Sequence, residues 1–484
     1  MARTLVARLS DAVCRAGDTP LSPGALAQAR ACILDTVGVT LAGMPEPCSR
    51  ILTETLDPAA RPGPATIWGT ALRASALDAA MVNGTAAHAL DFDYFSGVLG
   101  GHQSVPLVPL LFALAEERDL GGAALIQAYA VGVETEIRLA RAVNFTHYDK
   151  GWHPTATLGI FGAAAAASRL MRLDAERTAH ALAIAASLAS GIKANFGTMT
   201  KPLHVGQAGR NGLMAALLAE RGFDAAADVF EHHQGFLDVF NGPGTHDAEK
   251  MLAGWCDPWE IAAESIGLKQ FPCCGSTHPA VMMALALRAE ERPEIDAIRR
   301  IEILPHGRRL RHTDTPHPQT PLEAKFSVQY AVARALLDGA VRLADFEGAA
   351  HADPRIRALL ERTEARAHPG MADDAPGQWG AEVILHMADG RRLSRRVEDM
   401  VGRGGANPMT EDELWSKFAD CAARSLPREQ IAPLFERLQT LDRAGGIRAV
   451  TRLMQVSPLH RPRPARVRLA AATGQDAPET TWVP

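Results

Sequence analysis

Four polar segments interrupt a sequence that is otherwise rich in small and apolar residues, and they hold the residue types that proton transfer needs. The first, residues 83–104, places His88, Asp91, Asp93 and His102 close together. Two imidazoles and two carboxylates suit general acid–base work or a divalent cation. Their spacing matches no familiar ligand motif, so the site is read as metal-free. The plain alternative is a helix end and a glycine-rich loop with capping or solvated carboxylates, which explains one such residue better than four. The second segment is GWHPTATLG, residues 151–159. His153 precedes Pro154, which predicts extended backbone at the histidine. Thr155 or Thr157 can cap the helix that follows, whose N-terminus attracts anions. Taken alone, such a histidine is more often a packed or surface loop residue.

The third segment, residues 190–212, sets Lys201 between Thr200 and Pro202, with His204 beyond and Lys193 as a weaker candidate. Lysine is usually a solvated surface charge. An ammonium group among small and apolar residues needs an anionic partner, which a carboxylate substrate would supply. The fourth, GLKQFPCCGSTHPAV at 267–281, contains Lys269, Cys273, Cys274 and His278. It begins where the texture of the sequence changes, and clefts at domain boundaries commonly hold ligands. Adjacent cysteines chelate one metal poorly, and buried apolar-like thiols are the plain alternative. A nucleophilic Cys274 with His278 would lack a third orienting group.

Helices must position these segments. Residues 23–42 carry Leu26, Ile33, Leu34, Val37 and Leu41 on one face, with Ser22 as cap and Pro23 in the first turn. Residues 105–118, 122–142, 174–190 and 207–221 also read as helices, and 158–170 is apolar on nearly every side, as in the middle of a bundle. From about 269 the pattern becomes mixed. Residues 277–291, 321–337 and 354–361 read as helices, 298–305 as a strand, and 381–397 as a hairpin turning at Asp389-Gly390. His306, Arg308, Arg309 and Arg311 read mostly as exposed charges. Gly402, Gly404 and Gly405 mark a linker, and Thr410 with Glu413 forms a capping box that restarts helix through 455. The expected fold is mainly α: a large all-helical domain with an inserted smaller α+β lid. The helical domain takes residues 1–268 and 406–456, the lid 269–405, and 457–484 is a loosely ordered tail.

Composition narrows the function. The 484 residues suit two or three domains by length, and 22% charged with 47% hydrophobic residues is an ordinary globular balance. A net charge of −5 gives no basic surplus for nucleic acid or an anionic membrane. The N-terminus lacks a secretory apolar block and no 18-residue apolar run suggests a span. The seven cysteines are mostly isolated, which fits a reducing cytoplasm. The glycine-rich dinucleotide and nucleotide loops, the G-x-S-x-G elbow and H-E-x-x-H are missing from the sequence, so Rossmann hydride transfer, nucleotide hydrolysis and serine-esterase chemistry lose support.

The four segments, in order, resemble the MmgE/PrpD family. The matching text is DTVGVTLAG (35–43), NGTAAHALDFD (83–93), GWHPTATLG (151–159), ANFGTMTKPLHVGQAGRNG (194–212), KQFPCCGSTHPA (269–280), KFSVQYAVARALLDG (325–339) and NPMTEDEL (407–414). Known activities in this family are dehydration of 2-methylcitrate, decarboxylation of cis-aconitate and epimerisation of iminodisuccinate. The resemblance implies a helical domain built from both chain ends, an inserted lid, a homodimer, and catalysis without metal or organic cofactor. Carried over by motif, the site includes Asp91, His102, His153, Lys201, Lys269 and Tyr330. Two departures stand out. Tyr94 and Phe95 follow Asp93 where many members have Asp-Thr, and Cys274 stands where the decarboxylase has a catalytic-looking histidine. Both argue against cis-aconitate decarboxylation.

The resulting expectation is a cofactor-independent lyase, of dehydratase type, that removes a proton alpha to a carboxylate of a small di- or tricarboxylic acid. His102, His153, Lys201, Tyr330 and Cys274 would be catalytic; Asp91, Asp93, Lys269, His204 and His278 would bind substrate. Lys201 and Lys269 would hold carboxylates, with His153 and His102 as the proton-transfer pair oriented by Asp91, and Tyr330 or Cys274 as second acid. Two alternatives stay open: an epimerase of an amino- or imino-dicarboxylate, and a catalytically silent binding or scaffold member. Substrate specificity is not legible in the sequence.

Overall fold

The computed structural model describes residues 3–263, 266–371, 380–398 and 408–457. The glycine linker near 402–405 and the tail beyond 457 lie outside them. The fold is mainly α-helical. At its centre lies the helix Pro23–Gly43, started as expected by the Ser22 side chain accepting from the Ala25 N–H, with Pro23 in the first turn. The sequence suggests one apolar face. In the structure the helix is buried nearly all round, because helix Glu411–Ala422 packs on it from far down the chain. It is long and apolar enough to cross a membrane by length and composition, and 78% of that stretch is buried inside the protein. One apolar core runs from Leu5 to Leu268 and resumes from Met409 to Val456.

A second core spans Phe271 to Met387. Its four-stranded sheet has the order Thr363–Ala365, Ile298–Pro305, Ala381–Met387, Arg392–Val397, with the first pair parallel and the rest antiparallel. Helices His278–Glu291 and Val328–Asp338 belong to the same core. The expected helix at 321–337 is two, Pro321–Lys325 and Val328–Asp338, because Ser327 caps the second with its hydroxyl. The hairpin turns through Ala388, Asp389 and Gly390, with the Met387 N–H donating to Arg391 O. Only Gly390 takes positive φ, 86°, so this is a three-residue loop closed by a left-handed glycine, not the two-residue turn expected. His306 is buried and its ring accepts from the Arg308 N–H, so it is no surface charge.

Three local devices aim the polar segments. Helices Ala76–His88 and Thr200–Glu220 cross at Gly84 and Gly206, where a Cβ on Gly84 would stand 2.9 Å from the Gly206 Cα. This approach brings the end of one helix, at His88, to the start of the other, at Lys201. That second helix starts seven residues before the expected 207, because Pro202 falls within its first turn, where the missing N–H is harmless.

The second device is His147, fully buried beside Trp152 and Phe240. Its Nε2–H donates to Thr157 Oγ1 at 2.7 Å, and Thr157 donates in turn to the His153 carbonyl at 3.1 Å. His278 does the same job in the smaller unit: its Nε2–H donates to Phe271 O at 3.1 Å and holds the Lys269–Cys274 stretch. The third device is Lys417 on helix Glu411–Ala422. It pairs with buried Asp35 at 2.6 Å, donates to Phe92 O and Lys269 O at 2.8 Å each, and lies 3.9 Å from the centre of the Phe92 ring. Burial pushes the Asp35 carboxyl up to about 6 despite Lys417.

Two predictions follow from these buried groups. Burial pushes His147 down to about 4 and His278 down to about 3. Each therefore binds its proton more weakly folded than unfolded, so stability present above about pH 6.5 is lost as pH falls toward those values. Each imidazole contributes about 1–2 kcal/mol of loss between pH 7 and pH 5, against the opposite contribution of Asp35, and denaturant titrations should show that share vanish in His147→Asn and in His278→Asn; the wild-type pH dependence retained in both variants would mean that neither is buried neutral. Separately, Lys417→Met strands Asp35 and two carbonyls and should destabilise by about 3–5 kcal/mol, with Asp35→Leu added in the same chain recovering part of the loss. Equal stability of Lys417→Met and wild type in urea would contradict the buried pairing.

Candidate active site

The site is built around Asp91, in the loop after helix Ala76–His88. Its backbone takes φ of +52°, a left-handed conformation that aspartate tolerates better than most residues. Lys201 Nζ meets its Oδ1 at 2.7 Å, and Lys269 Nζ meets its Oδ2 at 2.7 Å and its carbonyl at 2.6 Å. Desolvation opposes ionisation of Asp91, but Lys201 and Lys269 outweigh it and hold the carboxyl well below the usual range. Burial works against the Lys269 ammonium, and Asp91 more than restores it. Each lysine keeps further N–H donors for a second anion.

Asp93 is fully buried and gathers the imidazoles. His88 Nδ1 lies 3.0 Å from its Oδ1, and His102 Nδ1 lies 2.8 Å from its Oδ2. Desolvation opposes the Asp93 anion, but His102 and His88 hold its carboxyl far below the usual range. His88 is pushed down to about 4 by burial, although Asp93 acts the other way. His102 Nε2 stands 3.5 Å from Asp91 Oδ1, and the His102 N–H is fixed by Thr155 Oγ1 at 3.0 Å. Asp93 is thus the nearer partner of His102, where the sequence reading gave Asp91 that place.

His153 sits at the start of the short helix Pro154–Thr157 with the extended backbone expected before proline. Its N–H donates to Gly191 O, and its ring packs edge-on against Phe196. Its ring centre lies 5.9 Å from that of His88, and its Nδ1 is 3.3 Å from His204 Nδ1. Burial first, then the nearby His88 and Lys201, holds His153 well below the usual imidazole range. It is therefore a free base at neutral pH.

Asp91, Asp93, His102, His153, Lys201, His204 and Lys269 thus lie in one connected cluster. Cys274 is close enough to feel Lys269 and Asp91, and burial pushes its thiol up, so it stays protonated. Cys273 points instead to Thr277 Oγ1 at 3.1 Å. Two expected members are placed elsewhere. The Tyr330 hydroxyl donates to Asp345 O and accepts from Arg334 Nε, in the core of the smaller unit. His278 is spent on backbone carbonyls. Tyr94 is buried in the large core, and Phe95 pairs its backbone with Gly267. Asp91 and Asp93 are acceptors already taken by cations and imidazoles, which suits positioning better than contact with an anionic substrate.

Sequence reasoning gave no role to Asp35, Lys417 and Lys325, and it named His88 in the first segment without counting it among the catalytic or binding residues. Lys325 ends helix Pro321–Lys325, and its carbonyl accepts from the Cys274 N–H at 2.9 Å. His88, Asp91, Asp93 and His102 also offer ligand atoms within 4.8 Å of one another. A cation there would have to displace two ammonium groups from Asp91 and the imidazoles from Asp93, so this donor set fits a metal poorly.

Known proteins share this arrangement of sequence. The chain is 28% identical over 448 residues to cis-aconitate decarboxylase of Mus musculus, covering 90% of each chain. It is 29% identical over 437 residues to the Homo sapiens enzyme of that name, covering 87% of this chain and 89% of the relative. With 2-methylcitrate dehydratase of Cupriavidus necator it shares 26% identity over 436 residues, covering 83% of this chain and 87% of that one. The MmgE/PrpD N-terminal domain matches residues 7–249 and the MmgE/PrpD C-terminal domain residues 271–440. The chain therefore belongs to the MmgE/PrpD family.

Proposed function

We propose that this protein is a lyase that abstracts a proton alpha to a carboxylate of a small di- or tricarboxylic acid and expels water. The observation that carries this reading is the pair of ammonium groups, Lys201 and Lys269, held on one carboxylate beside two histidines. The difficulty of the reaction is the negative charge that develops when a carbon next to a carboxylate loses its proton. Fixed cations stabilise that charge in place, without reorganisation at the moment of reaction.

The substrate carboxylate lies against Lys201 and Lys269. His153, neutral and low in solvent, accepts the alpha proton as the C–H bond breaks and its electron pair moves into the carboxylate to give an enediolate. That pair returns to form the C=C bond while the C–O bond to the neighbouring hydroxyl breaks. His102, steadied by Asp93, gives the departing hydroxyl its proton, and water leaves. Cys274, protonated, is the second donor on the Lys269 side. Tyr330, bound to Asp345 O, is left out of the proton path.

The relatives of mouse and human favour a second reading, decarboxylation, in which the C–C bond to one carboxylate breaks, carbon dioxide leaves, and the electron pair passes into a remaining carboxylate as an enediolate that the same cations stabilise until a histidine returns a proton to carbon. Turnover with 2-methylcitrate, citrate and cis-aconitate separates the two. Loss of water from a hydroxy acid supports the dehydratase; carbon dioxide release from cis-aconitate replaces it with the decarboxylase. Deuterium gained at the alpha carbon in heavy water, with neither water nor carbon dioxide lost, would point to an epimerase.

With whichever acid is turned over, His153→Ala should lower kcat by about 10²–10⁴-fold while the melting temperature stays near wild type. Activity within a few-fold of wild type would remove His153 from the mechanism. Tyr330→Phe should keep kcat, and a loss as large as that of His153→Ala would restore the tyrosine to the proton path.

A further inference from the structure

Lys201 and Lys269 each have a carboxylate partner at 2.7 Å, and Lys417 has one at 2.6 Å. Lys325 has none. No carboxylate oxygen or other acceptor among the described residues lies within bonding distance of its ammonium group, although the side chain is half-buried. The two carboxylates whose charge reaches it are engaged elsewhere: Asp91 holds Lys201 and Lys269, and Glu46 faces Arg424 at 4.0 Å. Burial accordingly lowers its pKa, only partly offset by Asp91 and Glu46.

A half-buried ammonium group that has no carboxylate of its own keeps all three N–H donors open to an anion from solution. Its place in the chain fixes which ligand. The Lys325 carbonyl receives the Cys274 N–H, so Lys325 is tied to the stretch that carries Lys269. Its neighbour Ala324 is part of the smaller unit's core, which places Lys325 on that side of the cluster.

We propose that Lys325 is the anchor for a second, distal carboxylate of the substrate, and so the residue that makes this site select polycarboxylates over monocarboxylates. This rests on the carboxylic-acid reading above. The reacting carboxylate lies on Lys201 and Lys269; the distal one reaches Lys325 and supplies the counter-charge the free protein lacks. Lys325 is a specificity residue, away from the proton path, so its loss raises KM much more than it lowers kcat.

Calorimetric titration with tricarballylate, an unreactive tricarboxylate, and with propionate tests this on the full chain. Wild type should bind tricarballylate well and propionate weakly. Lys325→Met should weaken tricarballylate at least about tenfold, leave propionate unchanged, and not lower the melting temperature of the free protein, because no partner is stranded. Lys325→Arg should restore most of the affinity. Undiminished tricarballylate binding by Lys325→Met, or equal losses for both acids, overturns the proposal while the carboxylic-acid reading stands. A lowered melting temperature in both Lys325→Met and Lys325→Gln also overturns it, by showing a structural partner. Failure of wild type to bind any carboxylate overturns both.

Discussion

Two ammonium groups will not stay side by side unless something cancels their repulsion, and here one carboxylate does so. Asp91 bonds Lys201 through one oxygen and Lys269 through the other. The three residues come from a loop, a helix start and the junction with the smaller unit, so the contact is also what registers these pieces against each other. Asp93 performs the matching task for the imidazoles. The two aspartates, two positions apart, divide the cluster into a cationic half and an imidazole half, which in the proposed reaction hold the anion and move protons.

The outer supports of this arrangement are themselves polar and buried. Lys417 lets the loop carbonyl of Phe92 and the carbonyl of Lys269 share one donor. His147 fixes His153 through Thr157. Replacing such groups by apolar ones would simplify the core, but a precise orientation of charged side chains needs directional bonds behind it. The small residues at Gly84 and Gly206 are the apolar counterpart: they let two helix backbones touch so that His88 and Lys201 meet.

Much of this was legible in the sequence because reactive residues that cluster in polar segments between helices stand out against an alanine-rich background. His102, His153, Lys201 and Lys269 were readable in that way, as were the Ser22 cap and the Thr410–Glu413 capping box, both present. What misled was residue type taken as role. Tyr330 and His278 can do chemistry, yet tertiary packing gives one to a backbone carbonyl of Asp345 and the other to those of Phe271 and Cys273. What was missed were single charges inside helices. Lys417 sits in a stripe with Phe418, Cys421 and Ala422, all buried, and Asp35 interrupts an apolar helix. A charge on an apolar stripe was the available signal for both, but neither names its partner, which lies hundreds of residues away.

The remoteness of those partners bears on how the protein is made. Lys417 is separated by 325 residues from Phe92 and by 148 from Lys269. During vectorial synthesis the early helices emerge with Asp35 and the Asp91 loop still lacking their lysine, and the whole smaller unit must be translated before it arrives. The contacts that tie Phe92, Lys269 and Asp35 together can therefore close only once helix Glu411–Ala422 has been made, so this part of the structure is completed late and by the far end of the chain.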